Sequence, residues 1–211
     1  AYWMGNNGFF VYDGRVQPLR SAVGDFIFEH LNESQRSKVV GVLNSQFSEV
    51  IWFYPSEGSN ENDSYVSYNY MEGHWQVGSL ARTAGFDTGT FVYPNYATSD
   101  GYIYEHEVGY TYDDDSVVFA ETGPIQLGAG DRLVVARSLI PDEKTAGDVT
   151  ATFKTRLYPN ASESSFGPFT MANPTDVRFQ GRQVQMRVTG NTASSWRVGT
   201  MRLDVVEGSR R

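Results

Sequence analysis

The side chains able to do chemistry are few and scattered. Cysteine is absent, so there is no disulfide framework, thiolate metal site or cysteine nucleophile. His30, His74 and His106 lie too far apart in sequence to suggest a local metal site. His30 falls at the end of a helical stretch, where an imidazolium would interact well with the helix dipole. His74 and His106 read as strand or turn surface residues. Glu105 and Glu107 are spaced to share one face of a strand, the kind of carboxylate pair that cleaves glycosidic bonds, although acids two apart on an edge are more often merely solvated. Asp113, Asp114 and Asp115 could offer oxygens to calcium, but the run lacks the spaced D-x-D-x-D-G pattern and reads as a hinge or solvated turn.

The Glu57–Asp63 loop reads as an exposed turn between strands. Tyr93, Tyr96, Tyr102 and Tyr104 could stack on sugars, with core packing the stronger reading. The most suggestive charged feature is a set of basic strand positions, Lys154, Arg156, Arg182, Arg187, Arg197 and Arg202. These form either the wet side of a sandwich or an inter-subunit interface that docks against an acidic neighbour. There is no GxSxG elbow, HExxH, glycine-rich phosphate loop or GxGxxG, and the Ser-x-Asp-x-Gly-x-Thr-Trp turns of sialidase propellers do not occur. No catalytic residue, metal or cofactor is expected.

The elements that would position these residues are strands. The chain has 211 residues, among them 13 Tyr, 13 Phe, 4 Trp and 21 Gly. Aromatic and glycine wealth together favour strands joined by tight turns, an all-β chain. No apolar run approaches the roughly 20 residues of a membrane-spanning helix. The net charge of -8 repels phosphate backbones and argues against sequence-specific nucleic-acid binding. Residues 1–112 hold 5 basic and 13 acidic side chains, whereas residues 113–211 hold 12 of each, so all the excess charge sits in the first half. The switch coincides with the Asp113–Asp115 turn and places a domain boundary there, giving regions 1–115 and 116–211.

In the first region, aromatic strands start at Gly8, Val50 and Gly101, about 40 to 50 residues apart, the period of four-stranded propeller blades. Tyr65–Met71 and His74–Val77 form a hairpin, the outer pair of one blade. Pro18–Leu31 is the best helical candidate, with Ser21 as its cap. In the second region, Ala151, Phe153 and Leu157 alternate with Thr152, Lys154 and Arg156, and Val184, Met186 and Val188 with Gln185, Arg187 and Thr189. Trp196 and Val198, followed by Met201, Leu203 and Val205, form a last strand. Six or so strands suit an antiparallel sandwich or jelly roll. Three blades cannot close a propeller, which typically needs about four to eight, so the chain reads as part of a longer product or as one that neighbouring copies complete. Its opening, Ala1-Tyr2-Trp3-Met4, fits a processed product or a fragment.

Several segments resemble a known family: Gly8–Val16, Glu49–Pro55, Glu61–Tyr70, His74-Trp75 with Leu80–Ala84, Asp100–Glu107, Gly181–Gln183 and Ser195–Gly199. They look like the C-terminal part of the tail hub or nozzle proteins of short-tailed bacteriophages, also called packaged-DNA stabilisation proteins. The resemblance implies a non-enzymatic virion structural protein of the phage tail. Such proteins form a homo-oligomeric ring, usually hexameric, below the portal and its adaptor, and they meet tail fibres or spikes. The ring continues the DNA channel and retains packaged DNA until ejection, without sequence-specific binding. It also implies a propeller-like core bearing extra β domains. The competing reading from the residues is a carbohydrate-binding adhesin that uses surface Tyr and Trp. An enzyme acting through Glu105 and Glu107 ranks last.

Overall fold

The computed structural model describes residues 1–110, 117–128, 132–171 and 174–210. It is nearly all β, with five antiparallel sheets and none closed into a barrel. The chain divides into two compact units, Ala1–Val108 and Gly109–Arg211. The acidic turn Asp113–Asp115 lies outside the described residues.

The first unit is three consecutive meanders stacked face to face. The first sheet joins β1 (Tyr2–Met4), β2 (Phe9–Tyr12) and β3 (Val16–Leu19). The central sheet joins β4 (Val40–Asn44), β5 (Glu49–Tyr54), β6 (Ser64–Asn69) and β7 (Trp75–Ser79) in sequence order. The third joins β8 (Ala84–Phe86), β9 (Asn95–Ala97) and β10 (Ile103–Glu105).

Successive residues of a strand point to opposite faces, and β5 uses both. Its Val50, Trp52 and Tyr54 pack with Phe9 against the first sheet, while Ile51 and Phe53 pack with Val42 and Tyr96 against the third. That is why Val50-Ile51-Trp52-Phe53-Tyr54 is an unbroken apolar run instead of an alternating one. Phe9 is the pivot of the first interface, with ring centroids 5.0 Å from Trp52, 4.6 Å from Trp75 and 5.5 Å from Phe28. In the third sheet Gly85 faces Tyr96 across the ladder, and a Cβ there would collide with that ring, so glycine is what lets Tyr96 lie flat against its own sheet.

The expected helix over Pro18–Leu31 shrinks to α1 (Gly24–Glu29). Pro18 belongs instead to β3, an edge strand, where its missing N–H interrupts no interior ladder. Ser21 is not the cap: its Oγ accepts only from Val23 N at 3.2 Å, and α1 starts without a side-chain cap. Burial of Ile27 and Leu31 against the first interface holds this short helix.

The second unit is a sandwich of two sheets. One has the order β11 (Phe119–Glu121), β17 (Gln183–Gly190), β14 (Val149–Arg156), β15 (Ser164–Thr170), with β12 (Ile125–Gln126) also on β17. The other places β13 (Arg132–Pro141) between β16 (Thr175–Gly181) and β18 (Met201–Arg210). Alternation in β14 buries Ala151 and Phe153 and turns Thr152, Lys154 and Arg156 outward, as the sequence pattern requires. Leu157 departs from it, lying past the strand and exposed, and Trp196 and Val198 precede β18 instead of joining it. Phe153 stacks on Phe179 at 4.6 Å, from one sheet to the other. Only Arg182 separates β16 from β17, so the chain turns the corner between layers at that residue.

Replacing Phe9 by Ala should cost about 3–5 kcal/mol of stability, because three aromatic partners lose their common contact. Val92→Ala, on a surface residue, should stay within about 0.5 kcal/mol. Urea denaturation of both variants checks the layering, and equal losses would contradict it.

Candidate functional site

At one end of the central sheet, the β4–β5 turn, the β6–β7 turn and Glu107 enclose an open cleft of about 590 Å³. Asn69 builds its rim. Its Oδ1 accepts from Met71 N at 3.0 Å and Glu72 N at 2.9 Å, and its Nδ2 donates to the Phe47 carbonyl at 3.0 Å, so one amide ties both turns together. Gly73, at φ 76°, supplies the left-handed residue that the second turn needs. Among the described residues, Ser48 and Glu107 are the non-glycine residues at positive φ, 59° and 63°, and both line the cleft.

Asn44, Glu49 and Asn69 are cross-strand partners in one row on the face toward the third sheet. Glu49 accepts from Gln76 Nε2 at 3.0 Å. Glu107 reaches the same row from the end of the third sheet and accepts from Asn44 Nδ2 at 2.8 Å. Burial raises the proton affinity of Glu49, and the Glu107 charge raises it further. Burial also raises that of Glu107, partly offset by the Asn44 hydrogen bond. Beneath them lies Tyr96, 2% exposed, T-shaped on Phe53 at 5.7 Å. Burial, and then the charges of Glu107, Asp87 and Glu49, push its phenol well above the usual range. Neither the Tyr96 hydroxyl nor the Asn44 Oδ1 has a hydrogen-bond partner.

The expected pairing of Glu105 with Glu107 is therefore corrected. Glu105 ends β10 and is exposed, whereas the left-handed turn at Glu107 removes that residue from the strand and sends it to Asn44. The carboxylate beside Glu107 is Glu49, 58 positions away in sequence, which period-2 spacing could not reveal.

The three histidines stay apart. His30 Nδ1 bonds the Phe26 carbonyl at 2.8 Å at the end of α1, and exposed His74 lies 3.3 Å from Glu72. His106 is not a plain surface residue: its Nε2 accepts from Arg82 Nε at 2.9 Å, and its ring packs on Tyr96 at 4.2 Å. Arg82, only 6% exposed, also lies over the Tyr104 ring at 4.8 Å. Among the described residues no three His, Cys, Asp or Glu side chains form a metal-binding group.

The Glu57–Asp63 loop is only partly an exposed turn. Asn62 is buried and donates to the Lys38 and Arg82 carbonyls at 2.9 and 3.0 Å, and Asp63 accepts from Ser56 N and Oγ at 2.8 and 2.6 Å. Of the four tyrosines considered as sugar platforms, Tyr96 is core and Tyr104 lies under Arg82, which leaves Tyr93 and Tyr102 exposed.

The six basic positions do not share one face. Lys154 and Arg187 lie on the outer face of the five-stranded sheet, and both meet Glu121, at 2.7 and 3.6 Å. Arg187 also covers the Phe119 ring at 3.7 Å. Arg156, on that same face, donates to Gln183 at 2.8 Å and the Pro159 carbonyl at 3.1 Å. Arg182 sits at the corner over Tyr158, Arg197 bridges to Ala146, and Arg202 is exposed on β18 in the other sheet.

No protein-family model matches this sequence, and no curated protein does.

Because Glu49 and Glu107 bind protons more readily folded than unfolded, their stabilising contribution is complete below the ordinary carboxyl range and is lost as pH rises through their folded-state values. Gln mimics the protonated acid. Glu49→Gln should therefore match wild type near pH 4 and be the more stable at about pH 7.5. Urea titrations at both pH values test this, and a variant less stable at the higher pH would contradict it.

Proposed function

We propose that this chain is a structural component of a short-tailed phage tail, part of a homo-oligomeric ring below the portal and adaptor that continues the DNA channel. Its resemblance to tail hub proteins motivates the reading. The observation that best supports it is the outer face of the third sheet, where Phe86 is 49% and Ile103 69% exposed and the Phe91 ring packs at a tilt on Phe86 at 5.6 Å. The faces of the central sheet are covered by neighbouring meanders, and bare apolar surface of that kind marks an interaction site. The concentration of acidic charge in the first half suits a conduit, since like charge keeps DNA from adhering to a wall.

A carbohydrate-binding role is the second reading, favoured by the cleft, which sets Phe47 and Met71 beside carboxylates and amides. Light scattering and imaging of the native product separate the two. A closed hexameric ring without glycan affinity supports the hub, and a monomer that binds polysaccharide supports the adhesin.

If basic positions register neighbouring copies, exposed Arg202 is the cleanest to test, because Arg187 already serves Glu121. Arg202→Glu should lower the assembled fraction at fixed protein concentration. An unchanged molar mass would remove Arg202 from the interface.

A further inference from the structure

We propose that β18 pairs with β18 of a second copy of this chain, antiparallel and centred on Leu203, so that Arg202 of each chain meets Asp204 of the other. The contact joins the two three-stranded sheets edge to edge. It is independent of the role proposed above, because it concerns one strand edge and not the closing of a ring.

β18 is a ten-residue strand that bonds β13 on one side. Among the described residues no other strand pairs with it, so the N–H and C=O groups of its far side enter no ladder. Such an edge is a template for a further strand unless proline, lysine, a bulge or a covering segment blunts it. From Met201 to Glu207 the strand contains neither proline nor lysine, and it advances along β13 without a break, since the extra residue at the irregularity beside Ser138 belongs to β13.

Its neighbours across the ladder fix its two faces. Leu203 lies opposite Leu139 and Val205 opposite Ala136, both fully buried, which puts Met201, Leu203 and Val205 on the core side. Arg202 and Asp204, opposite Ile140 and Ser138, stand on the outer side and are exposed. Among the described residues neither is ion-paired. Val205 is 41% exposed although it points toward the core, so the sandwich leaves this edge bare.

Residues directly opposed in an antiparallel pair point to the same face, so a two-fold pairing of one strand with itself is centred on a single residue. Centring on Arg202, Asp204 or Glu207 sets like charges against each other. Centring on Met201, Val205 or Val206 leaves Arg202 and Asp204 without opposite charges. Centring on Leu203 sets Arg202 against Asp204 twice on the outer side, and on the core side it sets Met201 against Val205 and Leu203 against its own copy. Opposite charges directly across a ladder stabilise the pair, and like charges destabilise it. The strand is thus complementary to itself on both faces, as an isologous contact requires.

Reciprocal charge reversal on the whole chain, read by sedimentation, tests the register. Arg202→Asp and Asp204→Arg should each weaken association about tenfold or more, and the double variant should return to within about threefold of wild type. An Arg202 that docks on some other surface would gain nothing from the second reversal. The chain has no cysteine, so introduced thiols give an independent readout that holds even if a charge variant fails to fold. Under mild oxidation a mixture of Arg202→Cys and Asp204→Cys chains should form the disulfide-linked pair, and each variant alone should not, because only residues opposite each other come within disulfide reach. A mixture that does not link, Asp204→Cys chains that link to themselves, a double variant as weak as either single one, or a wild type monomeric at millimolar concentration would each overturn the pairing. A ring that forms without the mixed link overturns this contact and leaves the ring reading standing, whereas a linked pair from a chain that forms no ring does the reverse.

Discussion

Coverage of the central sheet on both faces is the constraint on which the first unit depends. A sheet with one wet face needs apolar side chains only at alternate positions, whereas β5 must supply them at every position from Val50 to Tyr54. Each face then selects its own partner. The larger aromatics, Trp52 and Tyr54, meet Phe9, the helix residue Ile27 and Leu31 just beyond the helix, and the smaller set, Ile51 and Phe53, meets Tyr96. A register slip of one residue would exchange the two sets and match each to the wrong layer. The short strands on either side, some of only three residues, are held by this interdigitation, since so few ladder bonds could not hold them alone.

The same stacking creates the polar end of the molecule's first unit. Where apolar residues of β4, β5 and β6 run out, the next row toward the third sheet is Asn44, Glu49 and Asn69, still partly shielded by the layer above. Shielding makes each group there consequential. Asn69 is fully used in joining two turns, while Asn44 and Tyr96 are left with unused capacity beside two carboxylates. A cleft of this kind is a by-product of layer geometry that the sequence has furnished with acids and amides in place of the serines and threonines that would close it at lower electrostatic cost.

Much of the fold was legible because burial leaves a period. The alternation in β14 and β17, the unbroken run of β5 and the β6–β7 hairpin each follow from which faces are covered, and each could be read from residue order. The helix was overestimated because Pro18 fits the start of a helix as well as the edge strand it occupies, and only the pairing with Phe10 decides between them. The site was less legible. Glu107 could be recognised as a chemically able residue, but its partner depends on a left-handed backbone at that position and on the stacking of one sheet over another. Neither leaves a local signal. Buried Arg82 and Asn62 were missed for a related reason: each is held by hydrogen bonds to residues about twenty or more positions away.

Charge followed a different logic in the second unit. Counting basic residues on strand faces treats each as free, yet Glu121 on β11 is brought by register opposite Arg187 and within reach of Lys154. One acid on an edge strand thus meets two of the three cations on that face, while Arg156 is held by Gln183 and the Pro159 carbonyl. The other outward residues of β14 and β17 are Thr150, Thr152, Gln183, Gln185 and Thr189, all uncharged hydrogen-bonding groups. Arg202, on the opposite sheet and without a carboxylate facing it across β13, where its neighbour is Ile140, keeps its full charge available. The cations of the five-stranded face are thus held by partners within the unit, whereas Arg202 faces an apolar neighbour across its ladder.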